Sequence, residues 1–164
     1  MTIRRRKPVP PAPPPPRGIV LDGSNVTASA TSGAPTRVVQ ALAWAREWAP
    51  SLPVVAVFDH ATLRRLGREV EDAIRAVCAS AGAEVRVTEP FVAADPGLLA
   101  FASASRSLVL SNDRFWDYED LRRDVIVLQF QAARGEFRVL DEATWFLPSG
   151  AARRVAMKDI RPAG

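Results

Sequence analysis

Two short stretches run an apolar segment straight into a carboxylate and a turn: "IVLDGSNV" (Ile19–Val26) and "LVLSND" (Leu108–Asp113). Asp22 closes the first and Asp113 follows the second, while Asp59 closes a third apolar run, "PVVAVF", and Asp95 precedes Pro96 in "AADPGLLAFA". Asp117 stands four residues after Asp113, which on a helix puts both on one face. Carboxylates gathered at one crevice repel and raise each other's pKa unless something positive sits among them. A hard divalent cation, which takes oxygen ligands, is their natural partner. Such an ion activates water and neutralises charge on a phosphate. Each acid also has an ordinary use. Asp95 is a helix N-cap ahead of a proline, Asp113 caps a following helix, and Asp117 is a solvated residue beside Glu119, Asp120 and Asp124. Asp22 holds its own turn with Asn25.

Other chemistries lack their residues. One Cys (Cys78) and one His (His60) exclude an internal disulfide and a zinc site. No Gly-rich loop ends in Lys and Ser or Thr. A phosphoaspartyl phosphatase needs a second Asp two residues after the first, where this chain has Ser24; a receiver domain needs a strand-end Lys, but the lysines are Lys7 and Lys158. No nucleophile elbow accompanies His60. Cys78, in a helical stretch with Val77 and Ala81, reads as core.

The acids need elements to position them, and strand and helix patterns alternate along the chain. "GIVL", "PVVAVF", "AEVRV", "SLVLS" and "DVIVLQF" read as buried strands, and "FRVL" as a short last one. Between them, Thr36–Ala49 has helical spacing, and "TLRRLGREVEDAIRAVCASAG" reads as one long amphipathic helix from a Thr62 cap to a Gly82 stop. Asp95 and Pro96 open a helix through "GLLAFASA", and "DRFWDYEDLRR" reads as another. The alternation predicts a mostly parallel central sheet covered on both faces, a three-layer α/β/α architecture. Parallel strands end on one side, so Asp22, Asp59 and Asp113 belong to one sheet edge, where such sheets bind ligands.

The 164 residues suffice for one domain with its own core. No apolar run approaches the ~20 residues of a membrane span, and prolines follow "IRRRK" where a signal peptide needs an apolar stretch. The reading is a cytoplasmic protein with no membrane partner. Residues 1–17 carry five basic residues and no acid, against 17 basic and 18 acidic residues in the remainder, so the net charge of +4 belongs to the tail. Residues 1–16, with "PVPPAPPPP", read as a disordered basic and proline-rich tail with an extended spacer. That arm either meets phosphates or serves only solubility. The folded domain spans 17–148, and 149–164 reads as a C-terminal tail.

With these motifs in order, the chain resembles the NYN and PIN-like ribonucleases, in particular the nuclease domain of the regnase-type CCCH zinc-finger ribonucleases. The resemblance covers Gly18 to Leu147 and rests on "IVLDGSNV", "AADPGLLAFA" and "LVLSNDRFWD". It implies a PIN-like, Rossmann-like fold and a metal-dependent endoribonuclease that cleaves single-stranded RNA with Mg²⁺ or Mn²⁺, leaving a 5′ phosphate. Carried over by position, Asp22, Asp95 and Asp113 would be the metal ligands, Asn25 would hold a water or phosphate, and Asp117 would be an outer acid. Ser24, Asn112 and Arg114 would face the substrate. Trp116 reads as a core residue first and as a stacking surface for an unpaired base second. The family pairs two acids in the motif around Asp95, whereas this chain has Ala94 at the first position. That departure keeps a second reading open, a catalytically weak or inactive NYN-like RNA-binding module.

Overall fold

The computed structural model describes residues 11–28, 30 and 32–163. The basic run Arg4–Lys7, and the spacer as far as Pro10, lie outside the described residues. In chain order the elements are β1 (Gly18–Asp22), α1 (Gly23–Val26), α2 (Ala34–Trp48), β2 (Val54–Phe58), α3 (His60–Leu66), α4 (Arg68–Ser80) and β3 (Ala83–Val87). They continue with α5 (Ala94–Ser105), β4 (Ser107–Leu110), a 3₁₀ turn at Trp116–Tyr118, β5 (Ile126–Ala133), β6 (Glu136–Phe146) and β7 (Ala152–Ala156). One seven-stranded sheet has the order β3-β2-β1-β4-β5-β6-β7. The first five strands pair in parallel, and β6 and β7 add antiparallel.

The apolar runs fix this arrangement. Every residue of β1, β2 and β4 is buried, as a strand covered on both faces requires. Alternate residues serve opposite layers. Ile19, Leu21, Val54, Ala56 and Leu110 pack with Val38, Leu42 and Ala45 of α2 and with Ile74 and Cys78 of α4. Val20, Val55, Val57 and Val109 pack on the other face with Leu98, Leu99 and Ala102 of α5. The fold is a three-layer α/β structure with a mostly parallel sheet.

Four local readings change. The long helix expected from Thr62 to Gly82 is two helices, because Gly67 takes a left-handed φ of 88° between α3 and α4. Its cap is Asp59, whose carboxylate accepts both the backbone N–H and the hydroxyl of Thr62. Asp95 is not the N-cap of α5: Ala93 is the last extended residue, and Asp95 sits inside the first turn. Pro96 is tolerated there because the N–H it lacks would have had no intrahelical partner in the first turn. The helix expected at "DRFWDYEDLRR" is a loop with one 3₁₀ turn. The Asp113 carboxylate accepts the Phe115 N–H at 2.7 Å, and Phe115 is left-handed (φ 51°). That local bond competes with a helical one. Finally, "FRVL" grows into the eleven-residue β6, and residues 149–164 contribute β7, with Val155 and Ile160 buried.

The sheet changes direction of growth at β1, which has β2 on one side and β4 on the other. The crevice beyond the carboxyl ends of β1 and β4 is therefore the place where a ligand site is expected.

Candidate functional site

Asp22 stands at this crevice and is almost fully buried, at 3% exposed. The chain turns directly into α1 at Gly23, where an added Cβ would lie 2.4 Å from the ring of Phe58, so no larger residue fits there. Each oxygen of the Asp22 carboxylate has one hydrogen-bond partner. One oxygen accepts the Asn25 N–H at 3.1 Å, and the other accepts the Ser111 hydroxyl at 2.6 Å. The same Ser111 oxygen accepts the Asp113 N–H at 3.0 Å. One wholly buried hydroxyl thus ties the strand-end acid of β1 to the acid that follows β4.

Asn25 makes the matching tie from the other strand, its side-chain carbonyl accepting the Asn112 N–H at 2.9 Å. Asn112 in turn accepts the Phe130 N–H of β5 through its side-chain carbonyl at 2.9 Å. Ser24 accepts the Asp59 N–H at 2.8 Å. Asn25, Asn112 and Ser24 therefore lock the strand ends together around Asp22.

The electrostatics at this edge are one-sided. Burial pushes the Asp22 carboxyl up to about 6, the hydrogen bonds from Ser111 and Asn25 oppose it, and the charges of Asp95 and Asp113 add to it. Asp95 is also raised, first by burial and then by Asp113 and Asp59. Burial would raise Asp59 too, but its bonds with Ser24 and Thr62 win and hold it below the ordinary value. The neighbours that act on Asp22 and Asp95 by charge are all acids.

Of the five acids singled out in the sequence, the fold brings Asp22, Asp95 and Asp113 within mutual electrostatic reach. Asp117 lies in the exposed 3₁₀ turn and is not among the charges acting on Asp22 or Asp95. Among the described residues, no three His, Cys, Asp or Glu side chains converge closely enough to hold an ion by themselves. An all-protein cage of the calcium kind does not fit. The donor set is nonetheless all oxygen and uncompensated. That suits the smaller Mg²⁺, which keeps several waters and uses only one or two carboxylates.

Two features were missed in the sequence. Ser111 carried only the signal of a small hydroxyl at the end of an apolar run. Trp116 is 61% exposed rather than core. Arg114, expected to face substrate, is exposed beside it. Both line a cleft of about 330 Å³ that begins at Asp113 and continues along β6 and β7.

Neither a family model nor a curated protein matches the sequence. Solved structures do. One is the nuclear proteinaceous RNase P 2 of A. thaliana, with TM-score 0.54 and 14% identity over 74% of this chain and 29% of that one. A second structure of that Arabidopsis thaliana protein-only RNase P 2 gives TM-score 0.54 and 13% identity over 80% of this chain and 34% of that one. The PIN domain endonuclease Utp24 matches with TM-score 0.41 and 16% identity, over 77% of this chain and 92% of that one. The RNase P likeness is one of fold, and this chain spans about a third of those proteins' length.

Proposed function

We propose that the protein is a metal-dependent endoribonuclease of the NYN/PIN-like kind, related in its motifs to the regnase-type enzymes, and that it cleaves single-stranded RNA. One observation carries the reading. Asp22 and Asp113, joined through Ser111 at the switch point of the sheet, form with Asp95 an acidic edge, and the charges acting on Asp22 and Asp95 are those of other acids. Uncompensated buried carboxylate is costly, and folds keep it where a cation is to be bound. The fold shared with an RNase P supports the same reading.

Asp22, Asp113 and Asp95 would hold Mg²⁺ or Mn²⁺, one or two of them directly and the rest through the ion's own waters, with Asp117 as an outer acid. When bound, the ion supplies polarisation of an attacking water and neutralisation of phosphate charge. The chain's own residues position that chemistry. Ser111 fixes the orientation of Asp22 and the backbone of Asp113, and Asn25 holds the two strand ends in register. Ser24 and Asn112 shape the turn walls, and Arg114 meets a substrate phosphate. In-line attack by water would release a 3′ hydroxyl and leave a 5′ phosphate.

The second reading, a catalytically weak or inactive RNA-binding module, is favoured by the spacing of the acids and by Ala94. That residue is buried in the apolar layer beneath α5, where the family carries an acid. The decisive experiment incubates end-labelled single-stranded RNA with the full chain in Mn²⁺ and in chelator. Metal-dependent cleavage that is lost in both Asp22→Asn and Asp113→Asn establishes the enzyme. RNA retained but never cut establishes the module.

A further inference from the structure

The cleft that starts at Asp113 has chemistry of its own. On its walls stand Trp116, Arg114, Gln129, Thr144, Arg153 and Arg154. Its volume is at the lower end of small-ligand sites, which suits one nucleobase with its sugar. Trp116 is exposed yet held in place. The guanidinium of Arg122 stacks on its ring at 4.6 Å and on the Phe146 ring at 4.5 Å. Arg122 is itself buried and donates to the carbonyls of Arg114 and Phe115. A large aromatic that is braced but left open to solvent is a stacking platform.

The charges around it are graded. Glu142 lies in the same cleft, but Arg154 already pairs with it at 3.0 Å. Among the described residues Arg114 makes no ion pair. Arg153 donates to the carbonyl of Pro11 at the rim of this cleft.

We propose that this cleft seats the nucleotide of single-stranded RNA next to the one whose phosphate reaches Asp22 and Asp113. The base stacks on Trp116, Gln129 and Thr144 meet its polar edge, and Arg114 and Arg153 meet the backbone phosphates. The proposal rests on the ribonuclease reading and adds to it the direction in which the strand leaves the acidic edge. An unpaired strand is required, because a base inside a duplex has both faces covered by its stacked neighbours and offers neither to a protein ring.

The test uses the full chain in chelator, so that binding is read without cleavage. The probe is a fluorescein-labelled uridine octamer, with a blunt RNA duplex as control. Trp116 is the one mostly exposed tryptophan of the four, so the unlabelled octamer should quench the intrinsic emission. Trp116→Leu should weaken octamer binding roughly tenfold and abolish the quench, whereas Trp116→Tyr should return binding to within about threefold of the parent. Arg114→Gln with Arg153→Gln should weaken binding and lower its salt slope by about 1.4 units. Octamer binding and quenching unchanged in a folded Trp116→Leu protein would overturn the proposal. If that variant also cleaves like the parent, the cleft falls and the ribonuclease reading stands. If the parent never cleaves in Mn²⁺ but Trp116→Leu loses the octamer, the ribonuclease reading falls and the cleft stands. A parent that neither binds the octamer nor cuts RNA removes both.

Discussion

Asp22 is asked to be both buried and charged, and the sign of its titration follows from that conflict. Its carboxyl titrates near 6 in the folded chain, above its ordinary 3.8. The native state therefore holds more protons than the unfolded state between these values, and stability falls as pH rises from about 4 to about 6. Above that the penalty is complete, up to about 3 kcal/mol for this one group. Asp95 acts in the same sense. Asp59 acts in the opposite one, its stabilisation being lost only as pH falls below the ordinary carboxylate range. Asp22→Asn keeps the shape and removes the charge. In chelator at pH 7.5 its melting temperature should exceed the parent's by several degrees, and the two should converge toward pH 4.5. In Mn²⁺ the order should reverse, because only the parent gains a ligand. An Asp22→Asn variant that melts below the parent at pH 7.5 in chelator would show that the charge is not strained. Ser111→Ala tests the tie. Without the hydroxyl, Asp22 loses a bond that favours its ionised form, and its pKa rises further. The pH profile of cleavage should shift to higher pH, and stability should drop by about 1–3 kcal/mol. An unshifted profile would make Ser111 a packing residue only.

At the scale of elements, the strands were legible and the segments after them were not. β1, β2 and β4 announce themselves as continuous apolar runs ending in polar residues, which is what a doubly covered parallel strand must be. Asp22 and Asp113 stand out in the sequence because they close or follow such runs. The loop after β4 was misread because "DRFWDYEDLRR" has helical composition, while the Asx-type bond from Asp113 and the left-handed Phe115 divert it. That error hid Trp116, since an aromatic on a helix is more often core. β7 was missed because "AARRVA" alternates weakly and is an edge strand, held by pairing with β6 rather than by its own apolar content. Element geometry also decides what Ala94 can become. It lies at 6% exposure in the apolar cluster of α5. Placing an acid there with Ala94→Asp should therefore cost several kcal/mol, as an unpaired buried carboxylate does. Mn²⁺ should not recover the loss. The measurement is the melting temperature of this variant in chelator and in metal. A larger metal-induced rise than the parent's would mean that position 94 does reach the acidic edge.

For the molecule as a whole, the two ends of the chain play opposite parts. The C-terminal end is woven in: β7 pairs along β6, Val155 and Ile160 enter the core, and the Ala163 N–H donates to Pro16 at 2.8 Å. Truncation after Pro148 removes two buried side chains worth about 1.5–3 kcal/mol each and bares the long edge of β6. It should yield protein that is poorly stable and prone to aggregate. At the other end, Arg17 is tied to the body by its N–H, which donates to the Arg106 carbonyl at 2.8 Å, and the Pro11 carbonyl accepts from Arg153. Residues 1–10 hold four basic residues and two prolines but no apolar run that could join a core, so deleting them should leave the melting temperature within a degree or two of the parent's. What should change is electrostatic. The deletion removes Arg4, Arg5, Arg6 and Lys7, all the basic residues ahead of Arg17. Four lost phosphate contacts would cut the slope of log affinity against log salt by up to ~2.8 units for a single strand. The effect should depend on oligonucleotide length. An octamer long enough to pass the cleft should feel the loss, while a trinucleotide confined to the acidic edge should not. A slope unchanged for both lengths would show that the arm makes no contact with RNA.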